Sequence, residues 1–240
     1  MIEFVMNYLD EIKEKLKNEG KFRIAFVGDS LTSCEWIHPN WREIVEYVVK
    51  EELQKEAEDW KIPSWGIRCF NFGFDGSTTK DILEKVDEIL EVKPDLVISL
   101  MGGNDQKFGI SPQQAKENIE SLMNKFKGIN VFWMTSLPEM RESRNTGFEK
   151  YKEATLSVKT MAGQVIFDSF SEYKKFDLTK IYTLITEEYK NIGFETDPGH
   201  PNQLGNAYIA KIVLNEVFGI NFDPEKYIKT NLSGNKYPDY

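Results

Sequence analysis

Continuous apolar runs alternate along this chain with segments whose apolar positions recur every three or four residues. The first run, Phe22-Arg-Ile-Ala-Phe-Val27, shows no polar alternation, as expected of a strand covered on both faces. Ile67–Phe72, Asp95–Met101, Asn130–Met134 and Gln164–Asp168 read as four further strands. Ile2, Val5, Met6, Leu9, Ile12 and Leu16 carry helical spacing and predict a helix over 2–18, ended by Gly20. Trp41, Ile44, Val45, Val48, Val49 and Leu53 predict a second helix, opened by Asn40 with Glu43 three residues later. A third runs through Ile82, Leu83, Val86, Ile89 and Leu90. A fourth follows Ser111 as cap and Pro112 at the first helical position, with Ile119, Leu122, Met123 and Phe126 on its apolar side. Two more are expected from about Glu149 to Met161 and from near Asn202 to Val217. The segment Ser169–Thr196 is longer than a connection needs. It predicts at least one helix, serving as part of a lid or packing at the sheet edge. Residues after Asp223 read as a weakly packed tail, 223–240.

Strands separated by helices imply parallel pairing and right-handed crossovers. The expected fold is α/β, a three-layer α/β/α sandwich around a flavodoxin-like five-stranded sheet ordered 2-1-3-4-5. In that order the turns after strands one, two and three open on a common crevice. Composition shows no seam in the 240 residues, so a single domain, 1–240, with its core over about 20–220, is expected. A formal charge of -9 argues against nucleic acid as a partner, because affinity for phosphate backbones comes from Lys and Arg. No stretch is long and apolar enough to span a bilayer. Met1–Gly20 carries acidic residues and no apolar core of a signal peptide, and the expected location is the cytoplasm. Two cysteines are too few for a disulfide framework. Cys69 falls in a strand pattern and reads as core, whereas Cys34 lies in a loop and lacks a motif.

The candidate chemistry sits where strands end. Gly28-Asp29-Ser30-Leu31 follows the first strand directly and places a hydroxyl just past its carboxyl end, where open α/β sheets keep their sites. Acyl transfer needs a nucleophile, a base, a group to orient that base, and donors for the oxyanion. Ser30 qualifies as nucleophile. The chain has two histidines, His38 and His200. His200 is the better base, because Asp197 stands three residues before it, within reach of the ring. Pro198 and Pro201 stiffen that loop. Expected oxyanion donors are the N–H groups of Ser30 and Gly73 and the side-chain amide of Asn104. Trp36, His38 and Trp41 lie close to Ser30 in sequence. They wall a substrate cleft in one reading; in the other, the tryptophans cover the core edge and His38 is a surface residue. Arg141 and Arg144, in the polar loop 136–146, meet an anionic substrate or remain solvated loop charges. The scheme calls for no metal and no cofactor.

These residues resemble the SGNH hydrolases, also called GDSL-type esterases and lipases. Gly28-Asp29-Ser30-Leu31 is similar to the family's first block, and Asn71-Phe-Gly73-Phe-Asp-Gly-Ser77 to its second, with Gly73 as the oxyanion glycine. Gly102-Gly103-Asn104-Asp105 is similar to the third and Asp197-Pro-Gly-His200-Pro201 to the fifth. Asp29 and Asp105 read as turn and cap groups, whose short side chains bond locally. The resemblance implies a Ser30–His200–Asp197 triad and a serine esterase working through an acyl-enzyme on small or carbohydrate-linked acyl esters. Lysophospholipase, thioesterase and O-acyltransferase activities fit the same constellation. A binding module on this scaffold is the rival outside enzymology, since fold does not fix function.

Overall fold

The structure, a computed structural model, describes residues 8–33, 35–101, 103–231 and 240. Its centre is a five-stranded parallel sheet of β1 (Phe22–Gly28), β2 (Ile67–Gly73), β3 (Leu96–Leu100), β4 (Asn130–Met134) and β5 (Gln164–Phe167), ordered β2-β1-β3-β4-β5 with helices around it. Gly28 pairs with Leu100 and Leu100 with Met134, so the neighbouring strands β1, β3 and β4 finish level. The apolar runs are continuous for the expected reason: Ala25, Val27, Val97 and Val131 are buried, and so are the intervening Ile24, Phe26, Ile98 and Phe132.

The chain divides into two compact units. One comprises residues 23–38 and 70–202. It holds the carboxyl ends of β1 and β2 and all of β3, β4 and β5. Its core joins Val27, Val97, Val131 and Trp133 to Ile82, Ile89, Ile119, Leu122 and Phe126 from helices. Ser111 caps the helix Pro112–Lys125 and forms a reciprocal box with Gln114. The helical pattern through Ile82 to Leu90 is split into Thr79–Glu84 and Val86–Glu91. The helix expected from about Glu149 starts earlier, at Glu142, and ends at Leu156, so it absorbs part of the loop 136–146. The insertion 169–196 contributes three short helices, Ser169–Tyr173, Leu178–Ile181 and Glu187–Asn191.

The other unit comprises the described parts of 1–22, 39–69 and 203–240. Here the helix Trp41–Glu56 begins at the predicted Asn40–Glu43 box, and Asn206 on the helix Gln203–Phe218 accepts the Trp41 N–H at 3.0 Å. The first described helix covers Tyr8–Glu19; the predicted positions Ile2, Val5 and Met6 lie outside the described residues, as does Cys34. Two expectations need correction. Lys61–Gly66 is a helix that went unforeseen, because Pro63 and Gly66 argue against one locally. Residues 224–231 are helical rather than a loose tail: Asp223 accepts the N–H groups of Glu225 and Lys226, and Phe222 and Tyr227 are buried. No helix among the described residues is long and apolar enough to cross a membrane.

Candidate active site

Three strand-end turns and one later loop, all in the unit of 23–38 and 70–202, build a common cavity of about 160 Å³. The first turn follows β1. Gly28 is required there by close approach: a Cβ would lie 2.1 Å from the Leu100 carbonyl oxygen and 2.3 Å from Thr32 Oγ1. Buried Asp29 then curls the chain. Its carboxylate accepts the Leu31 N–H at 3.0 Å, and its carbonyl accepts those of Thr32 and Ser33 at 2.9 and 3.1 Å. Ser30 rides on this turn with its own N–H unpartnered among the described residues, and it lines the cavity.

Asn104, opening the short helix Asn104–Lys107 after β3, ties the turns together. Its amide nitrogen donates to Asp29 Oδ2 at 3.2 Å and to the Ser77 carbonyl at 3.1 Å. Both amide hydrogens therefore have acceptors already. The neighbouring Asp105 points the other way and receives the N–H and hydroxyl of Thr79 at 3.1 and 2.9 Å. Burial raises the Asp105 carboxyl above the usual carboxylate range, against the opposing pull of those two bonds.

The later loop carries the base. Asp197 is fully buried; its Oδ1 accepts the backbone N–H groups of Gly199 and His200 at 2.9 and 3.0 Å. Its Oδ2 lies 2.7 Å from His200 Nδ1, and His200 Nε2 lies 2.9 Å from Ser30 Oγ. A carboxylate accepting two backbone N–H groups leaves Nδ1 as the protonated nitrogen and Nε2 as the acceptor facing the hydroxyl. The insertion 169–196 pins the loop: Leu184 and Ile181 carbonyls accept the N–H groups of Asp197 and Asn202 at 2.7 and 2.8 Å. Tyr182, from the same insertion, donates its hydroxyl to the Pro138 carbonyl; burial holds this phenol far above its ordinary value, so it stays a donor.

The cavity's remaining wall is mixed. Glu139 receives Arg141 through Nε and Nη2 at 3.1 and 2.8 Å and Arg144 at 3.5 Å. Arg141 and Arg144 are thus paired with a carboxylate rather than waiting for an anion, and Arg144 and Glu139 face the cavity together with Lys107 and Phe148. Trp36 lies flat on the His200 ring, with centroids 3.8 Å apart and planes 4° apart, and its Nε1–H donates to Asp75 Oδ2 at 3.1 Å.

The structure brings together Ser30, Asn104, Asp197, His200 and Trp36 and leaves three predicted residues out. Trp41 is fully buried at a helix start and lines no cavity, because its position belongs to the apolar stripe of that helix. His38 is exposed and does not line the cavity. Gly73 is displaced from the expected role. It closes β2, its N–H donates to Asn71 Oδ1 at 2.9 Å, and a Cβ would lie 2.4 Å from the Ser33 nitrogen. Its lack of a side chain serves packing against the Ser30 turn. Gly76, three residues on, lines the cavity instead, with φ of +73°, an exposed position and an N–H that has no partner among the described residues. The signal for it was the Asp75-Gly76 pair, a turn sequence with glycine at the left-handed position. Tyr182 and Tyr189 also line the cavity, and their insertion offered only a helical pattern. Among the described residues no cluster of three or more His, Cys, Asp or Glu side chains is placed to hold a metal ion.

A five-stranded parallel sheet carrying a serine, a histidine and an aspartate in one hydrogen-bonded row belongs to the α/β class in which hydrolases abound. The chain itself belongs to the GDSL-like lipase/acylhydrolase family, whose model matches residues 26–208. No curated protein matches it by sequence. Among solved structures it is similar to a lipase/acylhydrolase from Enterococcus faecalis, at 20% identity and a TM-score of 0.63, over 82% of this chain and 96% of that one. Axe2, an acetylxylan esterase from Geobacillus stearothermophilus, matches at 19% identity and a TM-score of 0.59, over 82% and 94%. Catalytic mutants of Axe2 that exchange a serine, a histidine or an aspartate for alanine match similarly. LAE5, an α/β hydrolase from the metagenome of Lake Arreo, Spain, matches at 15% identity and a TM-score of 0.62, over 82% and 94%.

Proposed function

We propose that this protein is a serine esterase that hydrolyses short acyl esters of a water-soluble alcohol, a carbohydrate among them, through an acyl-enzyme. The observation that carries the reading is the row Asp197–His200–Ser30, closed at 2.7 and 2.9 Å between residues 170 positions apart in the chain. His200 Nε2 takes the hydroxyl proton as Ser30 Oγ attacks the ester carbonyl, and the imidazolium is held by Asp197. The proton then passes to the leaving alcohol oxygen as the C–O bond breaks, leaving the acyl group on Ser30. Water, deprotonated by the same nitrogen, attacks that acyl group and releases the acid.

The oxyanion is served by the N–H groups of Ser30 and Gly76, which have no partner among the described residues. Asn104 joins them by exchanging one of its present acceptors, of which Asp29 at 3.2 Å is the more distant. One such donor contributes about 3 kcal/mol to the transition state. The cavity of about 160 Å³ accommodates an acetyl group beside Ser30. Its rim of Lys107, Glu139 and Arg144 suits a hydrated, hydroxyl-rich leaving group, in keeping with the acetylxylan esterase among its structural neighbours.

Nitrophenyl esters of rising chain length, run beside acetylated xylooligosaccharides, test the substrate. Acetyl esters turn over fastest and octanoyl esters hardly at all; equal rates along the series overturn the short-chain assignment. A fluorophosphonate probe adds its mass to Ser30 and fails to label Ser30→Ala. Full turnover by that variant overturns the esterase reading altogether.

A further inference from the structure

The row of hydrogen bonds fixes His200 by its two nitrogens, both in the plane of the ring. One ring face is occupied as well. The indole of Trp36 lies parallel to it, 3.8 Å between centroids and 4° between planes, which is full van der Waals contact over an aromatic face. That indole is itself anchored: its Nε1–H donates to Asp75 Oδ2 at 3.1 Å. Trp36 comes from the segment after the Ser30 turn and Asp75 from the turn after β2, so two of the strand-end segments that form the cavity also clamp the base.

We infer that Trp36 is a positioning residue for His200, stacking on the imidazole to hold it in line with Ser30 and to stabilise the imidazolium of the reaction, while Asp75 holds the indole in place. The inference rests on the esterase reading above. A neutral imidazole gains little electrostatically from the electron-rich face of an indole. An imidazolium gains a cation–π attraction, which tryptophan supplies better than any other side chain. The ring becomes cationic only as Ser30 gives up its proton. The contact is therefore stronger in the transition state than in the resting enzyme, and it acts on kcat rather than on substrate affinity. Asp75 adds to this by placing a carboxylate on the indole nitrogen, which keeps the ring flat against the imidazole and leaves its face richer in electrons. Asp197 addresses the same cation from within the ring plane.

Steady-state kinetics on p-nitrophenyl acetate separate this role from a substrate platform. Trp36→Leu is expected to lower kcat about tenfold with KM nearly unchanged. Trp36→Phe, which keeps an aromatic face, restores most of that loss. Asp75→Asn, which keeps an acceptor for the indole N–H but not its charge, lowers kcat by about twofold to threefold. A rise in KM at constant kcat, or no change in either constant, overturns the inference. Turnover by Ser30→Ala overturns the esterase reading and this inference with it; an inactive Ser30→Ala beside an unaffected Trp36→Leu overturns this inference alone. A measurement on the unaltered protein covers the case in which Trp36→Leu does not fold. The chain has two histidines, His200 and the exposed His38, so their ring protons are readily told apart by NMR. The ring current of a stacked indole displaces the His200 protons upfield of those of His38, and equal shifts overturn the inference.

Discussion

Exchanging Asp197 for asparagine tests the proposed chemistry with little disturbance to the fold. Two backbone N–H groups, those of Gly199 and His200, converge on Asp197 Oδ1 at 2.9 and 3.0 Å. An asparagine carbonyl oxygen satisfies both, and the reverse orientation would set an NH2 against two donors. The amide nitrogen must therefore take the place of Oδ2, 2.7 Å from His200 Nδ1. It donates, so Nδ1 must accept, and the ring proton moves to Nε2, where it points at Ser30 Oγ. A base in that tautomer cannot take the serine proton. In serine proteases the corresponding error lowers kcat about 10⁴-fold, or about 5.4 kcal/mol at 1.36 kcal/mol per decade. Asp197→Ala differs in a way stability measurements detect. It strands the two backbone donors beside a fully buried position, at about 1–3 kcal/mol each. Asp197→Asn should thus unfold near the temperature of the unaltered protein while losing its rate, and Asp197→Ala should lose both. Steady-state kinetics on p-nitrophenyl acetate and thermal unfolding read the two arms. An Asp197→Asn enzyme within tenfold of normal kcat would refute the tautomer argument and, with it, the place given to His200.

Two further outcomes follow from the buried polar and glycine positions. Burial raises the Asp105 carboxyl above its ordinary range, so the folded state binds that proton more tightly than the unfolded chain does. Stability from this group is therefore gained as pH falls through the raised value and is complete below the ordinary carboxylate range. Asp105→Asn, which can still accept from Thr79, should match or exceed normal stability at neutral pH and fall behind on acidification; denaturant melts between neutral pH and pH of about 4 check this. Gly73→Ala would press a Cβ to within 2.4–2.6 Å of the Thr32–Ser33 backbone, and should cost about 1–3 kcal/mol and most of kcat by moving the Ser30 turn. Gly76→Ala meets open space at φ +73°, costs about 1–2 kcal/mol, and keeps its N–H and hence most activity; paired melts and rates give the order.

The centre of the sheet was legible because β1, β3 and β4 are buried on both faces and so print unbroken apolar runs, whereas β2, with Arg68 and Asn71 exposed, is only partly covered. Asn130–Met134 was read to the residue, and the alternation with helices carried the parallel pairing, while the order 2-1-3-4-5, which the sheet has, came from the flavodoxin-like fold and not from the alternation itself. Helix ends were legible where a side chain caps them, at Asn40 and Ser111. They were misplaced where none does. Arg141 stands before the helix Glu142–Leu156 with no capping bond of its own, and most of that helix's residues are not fully buried. The helix Lys61–Gly66 has neither a side-chain cap nor a usual composition, and only its buried Pro63 and Gly66 show what it packs. Uncapped, weakly periodic helices are held by tertiary contact, which one-dimensional patterning does not record.

The site divides along the same line. Asp197 and His200 could be paired from the sequence because the bond between them is local, three residues apart within one turn. Ser30 was marked by its place at a strand end. The tryptophans show where such reasoning stops. Trp36 and Trp41 stand five positions apart and look alike as candidates. One is stacked on His200 and the other is sealed beneath a helix start. What separates them is the Asn40 cap. From Trp41 onward the backbone is committed to a helix whose buried stripe claims the first indole. Trp36, before the cap, lies on a segment that the Asp75 carboxylate draws into the cavity. Gly73 and Gly76 differ for a related reason. The last residue of a strand must fit its neighbours, whereas a left-handed glycine three positions later is released from the sheet and free to present its N–H. Proximity in sequence to a nucleophile therefore selects no residue by itself. The selecting feature is whether a residue lies before or after the point at which regular structure takes up its hydrogen bonds.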